Sequence, residues 1–190
     1  GNRRLYGTNF TVPADRIVAG TYLFACLGTG GCVYLEKAPT AEMQAVLSMA
    51  ESMGGSLFDD GNGLYVQAPH VLQPIRVVTG PYPEFPTDLQ SVLLVTATQA
   101  EGESYIEEHI FENRFRILGD LKKMGARVEQ ISSESVIVCG KAALKGCGVE
   151  AKELRGGAAL VLAGLMAEGN TVIKGYPFIY RGYENICRDF

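Results

Sequence analysis

Three stretches of this chain share one pattern: an apolar, helix-like run, a small or acidic residue with glycine, then a short β-prone run. They span Ala19 to Gly31, Ser91 to Gly102 and Gly157 to Gly169, so the closing glycines recur at a nearly constant interval. A period of this kind means that one supersecondary unit recurs and that neighbouring copies bury each other's apolar faces. After the glycines, Cys32 to Glu36, Ser104 to Glu108 and Asn170 to Lys174 read as strands, and the first two lead into amphipathic helices over Glu42–Met53 and Glu112–Met124. Both helices end in Met-Gly, at Gly54 and Gly125, and the interval from Gly31 to Gly54 equals that from Gly102 to Gly125. Glycine there can take the left-handed conformation that closes a helix. Hairpins are expected next, Ser56–Gln67 turning at Asp59-Asp-Gly-Asn-Gly63 and Arg127–Cys139 turning near Ser132-Ser133.

The unit is therefore βαβαββ-like or a permutation of it, and the fold class is α/β (α+β). One domain is expected over residues 1–190, with repeats at approximately 1–70, 71–141 and 142–190. The helices over Ser91 to Ala100 and Gly157 to Ala167 are apolar nearly all round and rich in Ala, Gly and Ser, which suits close packing in a core with sheets outside. Applied after Gly169, the same interval puts the third copy's next helix-ending glycine past Phe190, so the third unit reads as cut inside its second helix. The chain is thus expected to be a fragment, or a domain completed from elsewhere. An exposed sheet edge there predicts association with a second chain.

Composition narrows the function classes. A chain of 190 residues can bury ~70% of its unfolded surface, and a net charge of -4 argues against a generic nucleic-acid or membrane surface. The five cysteines are scattered and include no CxxC pair, so no disulfide framework or zinc site is expected and a reducing cytoplasm fits. The start Gly1-Asn-Arg-Arg4 has no apolar signal stretch behind it, and the most apolar run, Ala158 to Ala167, is too short for a membrane span. Gly28-Thr-Gly-Gly31 lacks the Lys-Ser/Thr of a phosphate loop, and Asp59–Gly63 lacks the spacing of a calcium loop. His70 and His109 have no metal-ligand partner at helical spacing, so no metal is expected.

The repeat also aligns polar residues. Asp88 precedes Gly102 by the same interval as Arg155 precedes Gly169, and Arg114 follows Gly102 by the same interval as Arg181 follows Gly169. Equivalent positions in a pseudo-symmetric domain occupy equivalent places around its axis, so all four are expected at helix starts, converging at one end of the helix cluster. Thr87-x-x-Gln90 matches a capping box that would place Asp88 in a first helical turn. An arginine at a helix N-terminus opposes the dipole unless an anion compensates. A carboxylate beside arginines suits deprotonation of a hydroxyl while an anionic co-substrate is held. Taken singly, such an Asp matches the dipole and such an Arg is a surface group. Their shared register sets them apart.

Five motifs extend the pattern: Pro13-x-Asp15-Arg16-Ile17-x-x-Gly20-Thr21, Pro81-x-Pro83-x-Phe85-Pro86-Thr87-Asp88-x-Gln90, Phe111-Glu112-Asn113-Arg114-Phe115, Leu154-Arg155-x-x-Ala158-x-Leu160-Val161-Leu162-Ala163-Gly164, and Arg181-Gly182-Tyr183-Glu184. With these the sequence resembles the bacterial UDP-N-acetylglucosamine 1-carboxyvinyltransferases along essentially its whole length. The resemblance implies two domains, each an inside-out α/β barrel of three repeats, with the active site between them. This chain would be most of one domain, and its partner the missing second domain of the same enzyme. The implied reaction, a cytoplasmic step of peptidoglycan synthesis, adds the 3-hydroxyl of UDP-N-acetylglucosamine to C2 of phosphoenolpyruvate and then eliminates phosphate, with no metal or organic cofactor. Asp88 would bind and deprotonate the sugar hydroxyl. Arg114, Arg155 and Arg181 would hold the phosphoenolpyruvate carboxylate and phosphate, and Ile110 and Phe111 would lie against the nucleotide sugar.

Departures from the family pattern are local. Its catalytic cysteine loop and N-terminal Lys-Asn pair have no counterpart here, Glu153 stands where Asp is usual, and Phe178-Ile-Tyr-Arg181 replaces a His-x-Asp-Arg. The related shikimate-pathway transferase carries an Asp-His-Arg type motif where Leu154-Arg155 stands here. A non-catalytic ligand-binding or regulatory domain of the same fold, or part of the shikimate-pathway enzyme, are the alternative readings.

Overall fold

Helix and strand alternate because the apolar period alternates. The computed structural model describes residues 5–190, so the opening Gly1-Asn-Arg-Arg4 lies outside the described residues. Residues 5–15 carry no regular element. Helix α1 (Arg16–Thr29) starts where the Asp15 carboxylate accepts the amides of Ile17 at 2.7 Å and Val18 at 3.2 Å. It ends at Gly30, whose φ of 75° a side chain would resist. Then come β1 (Cys32–Glu36), α2 (Gln44–Ser52), β2 (Ser56–Asp59) and β3 (Gly63–Gln67), the strands forming an antiparallel sheet in the order β1-β3-β2.

The middle of the chain adds β4 (Arg76–Val78), a 3-10 turn at Thr87–Leu89, α3 (Gln90–Ala97), β5 (Glu103–Glu107), α4 (Leu118–Lys123), β6 (Arg127–Gln130) and β7 (Ser135–Cys139). Its sheet runs β4-β5-β7-β6, with β4 parallel to β5 and the other pairs antiparallel. The last segment is β8 (Gly148–Glu150), α5 (Leu154–Met166), β9 (Val172–Lys174), a 3-10 turn at Tyr176–Arg181 and α6 (Ile186–Asp189), with β8 parallel to β9. Both expected hairpins form, and Gly54 and Gly125 both take φ of 93°. In both parallel pairs the partner strand contributes the third to fifth residues after its closing glycine, Tyr105–Glu107 and Val172–Lys174.

Helices α1, α3 and α5 pack against one another, and every residue of α3 is buried. Small residues permit the approach: Gly20 of α1 abuts Leu89, Gly28 abuts Met166, and Ala158, Ala159 and Ala163 of α5 are buried. Leu93, Leu94, Leu23 and Phe24 fill the space between, each burial stabilising the fold by roughly 1.5–3 kcal/mol. The strands alternate. In β3, Leu64 and Val66 face the core while Tyr65 and Gln67 are exposed, and in β5 Ser104 and Ile106 are inside.

Three local expectations need correction. The helix expected over Glu112–Met124 begins only at Leu118, because Asn113 adopts a φ of 57° and holds residues 112–117 in turns. Arg114 therefore precedes a helix and does not start one. The Thr87–Gln90 capping box does not form: the Thr87 hydroxyl donates instead to Glu108 at 2.8 Å, and a 3-10 turn precedes α3. Arg181 ends a 3-10 turn, because Gly175, with φ of 77°, and Pro177 start that turn and Gly182 follows it.

Candidate active site

Asp88 is the point where three segments meet. Its Oδ1 accepts from Arg114 Nη2 at 3.3 Å and its Oδ2 from Arg155 Nη2 at 3.1 Å, so the carboxylate bridges two guanidinium groups. The arginine side chains are 18% and 16% exposed and Asp88 is 38% exposed, so the acid faces an opening while its partners lie below the surface.

Local chain geometry places each member. Asp88 rides the 3-10 turn that leads into α3. Arg155 sits in the first turn of α5, where the Glu153 carboxylate caps the helix by accepting from Gly156 N and, at 2.8 Å, from Arg155 N. Glu153 and Asp88 together supply the negative charge that an arginine at a helix N-terminus needs. Burial acts against the Arg155 charge, but hydrogen bonding and attraction from Asp88, helped by Tyr183, outweigh it, so its pKa is raised. Tyr183 is buried, its hydroxyl 2.8 Å from Thr21 Oγ1 of α1, and burial raises its pKa while Thr21 and Arg155 pull it down. The starts of α1, α3 and α5 are thus joined through Thr21, Tyr183, Arg155 and Asp88. The opposite ends of the same helices, marked by Thr29, by Gln99 just past α3 and by Met166, line one hollow, so the three helices run parallel.

Arg114 lies over the Phe111 ring at 4.9 Å, and its Nε is buried without a hydrogen-bond partner among the described residues. Ile110 and Phe111 are exposed on the same loop, which borders a cleft of about 430 Å³ lined also by Glu108, His109, Asn113 and Glu134. A smaller hollow of about 240 Å³ on the other side of the loop is walled by Phe111, Arg114, Arg116 and Glu153. A comparable cavity of about 420 Å³ lies on the outer face of the first sheet against Tyr34, Phe58 and Tyr65, with neither a carboxylate nor a cation in its wall. The acid flanked by two cations is at Asp88.

Of the four register-matched residues, three meet. Arg181 is exposed at the end of its 3-10 turn and makes no ion pair or hydrogen bond to Asp88, Arg114 or Arg155. Two residues beside the site escaped the motif reading, Glu108 and Tyr183 in its linking role. Glu108 was detectable from strand period, since alternation from Ser104 and Ile106 puts it on the inner face. Among the described residues no group of three or more His, Cys, Asp or Glu could hold a metal ion, and no helix is long and apolar enough to cross a membrane.

A fixed carboxylate between two half-buried cations can accept a hydroxyl proton, and the arginines can grip an entering carboxylate or phosphate bidentately. The family model described as EPSP synthase (3-phosphoshikimate 1-carboxyvinyltransferase) matches residues 1–190. A UDP-N-acetylglucosamine 1-carboxyvinyltransferase of Kosmotoga olearia is 39% identical over 190 residues, covering 100% of this chain and 45% of its own. One of Methylacidiphilum infernorum is 41% identical over 186 residues, 98% of this chain and 44% of its own. The chain therefore spans a little under half the length of these relatives. Among solved structures, the enolpyruvyl transferase NikO from Streptomyces tendae superposes with a TM-score of 0.84 at 22% identity, covering 95% of this chain and 43% of the other. EPSP synthase from Acinetobacter baumannii gives a TM-score of 0.74 at 21% identity, covering 97% and 46%.

Proposed function

The chain belongs to the EPSP synthase (3-phosphoshikimate 1-carboxyvinyltransferase) family, and from that premise we propose that it is one domain of a cytoplasmic enzyme that transfers the enolpyruvyl group of phosphoenolpyruvate to UDP-N-acetylglucosamine in peptidoglycan synthesis. In this reading the domain is an inside-out barrel of three repeats, helices α1, α3 and α5 within and sheets without, completed by a second domain across the cleft. The observation that carries the reading is the carboxylate of Asp88 held between Arg114 and Arg155. The names of the relatives favour UDP-N-acetylglucosamine over shikimate 3-phosphate as acceptor.

The sugar 3-hydroxyl attacks C2 of phosphoenolpyruvate, its proton passing to Asp88 while C3 takes a proton from an acid on the second domain. The resulting tetrahedral ketal then expels phosphate as C3 returns a proton to the conjugate base of that acid, leaving the enolpyruvyl ether. Arg114 and Arg155 hold the donor's carboxylate and phosphate, and Arg181 joins them when the cleft closes. Fixed cations in a cleft that excludes water stabilise the developing charge, typically the largest catalytic contribution. Ile110 and Phe111 pack against the nucleotide sugar. No step calls for a metal or organic cofactor.

Calorimetry of this chain should show UDP-N-acetylglucosamine binding more tightly than shikimate 3-phosphate, with no phosphate released from phosphoenolpyruvate until the other domain is supplied. In the two-domain protein, Asp88→Ala should cost ~10² or more in turnover. Preference for shikimate 3-phosphate would overturn the acceptor assignment, release by this chain alone the half-site reading, and an unchanged Asp88→Ala rate the role of Asp88.

A further inference from the structure

Glu108 is 2% exposed, and its carboxylate spans two segments of the site. Oε1 accepts from the amides of Ile110 at 2.9 Å and Phe111 at 3.0 Å. Oε2 accepts from the Thr87 hydroxyl at 2.8 Å, one residue before Asp88. A buried carboxylate is tolerated only where hydrogen bonds compensate its lost hydration, and these three come from two loops that share no strand. From this geometry we infer that Glu108 is a positioning residue that sets the distance between the Asp88 carboxylate and the Ile110–Arg114 loop. It thereby brings the acceptor hydroxyl into register with the base. The inference rests on the acceptor reading above and adds to it the residue that joins acceptor loop to base.

Two further contacts tighten the link. Glu108 N donates to Glu134 O at 2.8 Å, and His109 N donates to Thr79 Oγ1 at 3.1 Å. The backbone on either side of the carboxylate is therefore fixed, and small movements of Thr87 reach the loop through Oε2.

Thr87→Val keeps the branched shape and deletes the hydroxyl, and Thr87→Ser restores it. Titrations of the 190-residue chain would measure affinity for UDP-N-acetylglucosamine and, as a probe of the arginine clamp alone, inorganic phosphate. Thr87→Val should weaken the nucleotide sugar by ~10-fold, Thr87→Ser should return it to near the native value, and phosphate affinity should stay within about twofold in both. An equal loss for both ligands, or a serine variant no better than the valine, would overturn the inference. If Thr87→Val does not fold, Glu108→Gln weakens the same bonds at constant volume, and native nucleotide-sugar affinity in that variant would overturn it too. A native chain that fails to bind UDP-N-acetylglucosamine would refute the acceptor reading instead. The link would then be read from the Ile110 and Phe111 amide resonances, which Thr87→Val must shift and which, if unmoved, refute it.

Discussion

Asp88→Asn separates what the carboxylate does for stability from what it does for chemistry. Asparagine keeps the size and one acceptor oxygen, so one arginine retains a neutral partner while the other faces an amide donor. Removing one partner of a buried ion pair costs about 3–5 kcal/mol and of an exposed pair about 0–1 kcal/mol. Asp88 is 38% exposed while its partners are 18% and 16% exposed, which places the loss between those limits, at ~1–2 kcal/mol. With a urea slope near ~2 kcal/mol/M, the unfolding midpoint falls by roughly 0.5–1 M. The same substitution leaves two guanidinium groups without a shared anion, so phosphate should stabilise the variant more than the native chain. At a phosphate concentration about ten times its dissociation constant, ligand linkage contributes ~1.4 kcal/mol. Urea titrations of both chains with and without phosphate test both halves. A variant as stable as the native chain, or one that phosphate stabilises no more, would refute the view that Asp88 compensates the two half-buried cations.

Leu93→Ala, at a fully buried site in α3, should cost ~3 kcal/mol in urea unfolding. Gly157→Ala should displace the Tyr176–Arg181 turn, since an added Cβ would stand 2.8 Å from Ile179 Cγ1 and 3.0 Å from Ala151 Cβ. A loss of ~1–3 kcal/mol is expected, read by the same titration. Burial pushes the Cys26 thiol from its ordinary 9.0 up to about 11, the nearby Cys32 adding to the rise. Because the fold holds that proton more tightly, the associated stability is complete below pH 9 and lost as pH rises through about 11, and Cys26→Ala should flatten this part of the stability profile. Iodoacetamide at neutral pH should label exposed Cys32 and Cys187 and spare Cys26 until the chain unfolds.

What could be read in advance was whatever depends on neighbours in sequence. The left-handed Gly54 and Gly125, the two hairpins and the buried helices α1, α3 and α5 each follow from local period and from the conformational range of glycine. The misplacements arise where a distant residue takes the group that a local rule had assigned. Thr87 resembles an N-cap, yet its hydroxyl goes to a carboxylate 21 positions away. The turn at Asn113 interrupts a helical pattern that its neighbours support, and it is this turn that swings Arg114 over Phe111 and toward Asp88. The Tyr183–Thr21 bond spans 162 positions and leaves no periodic trace.

These long-range bonds explain how a stable fold can carry two arginines in an unfavourable place. The small residues of α1 and α5 let the helices approach closely, and close parallel packing brings their positive ends together. Arg114 and Arg155 add charge to that positive pole, and Asp88 offsets it with both carboxylate oxygens. In the proposed function, a donor with a carboxylate and a phosphate competes with Asp88 for the same guanidinium donors, so that seating the donor would release the carboxylate from them. A double-mutant cycle follows: Arg155→Lys should weaken phosphate binding markedly in the Asp88→Asn chain, where no carboxylate competes for the guanidinium, and much less in the native background. Additive losses would mean that Asp88 and the ligand do not share the arginine.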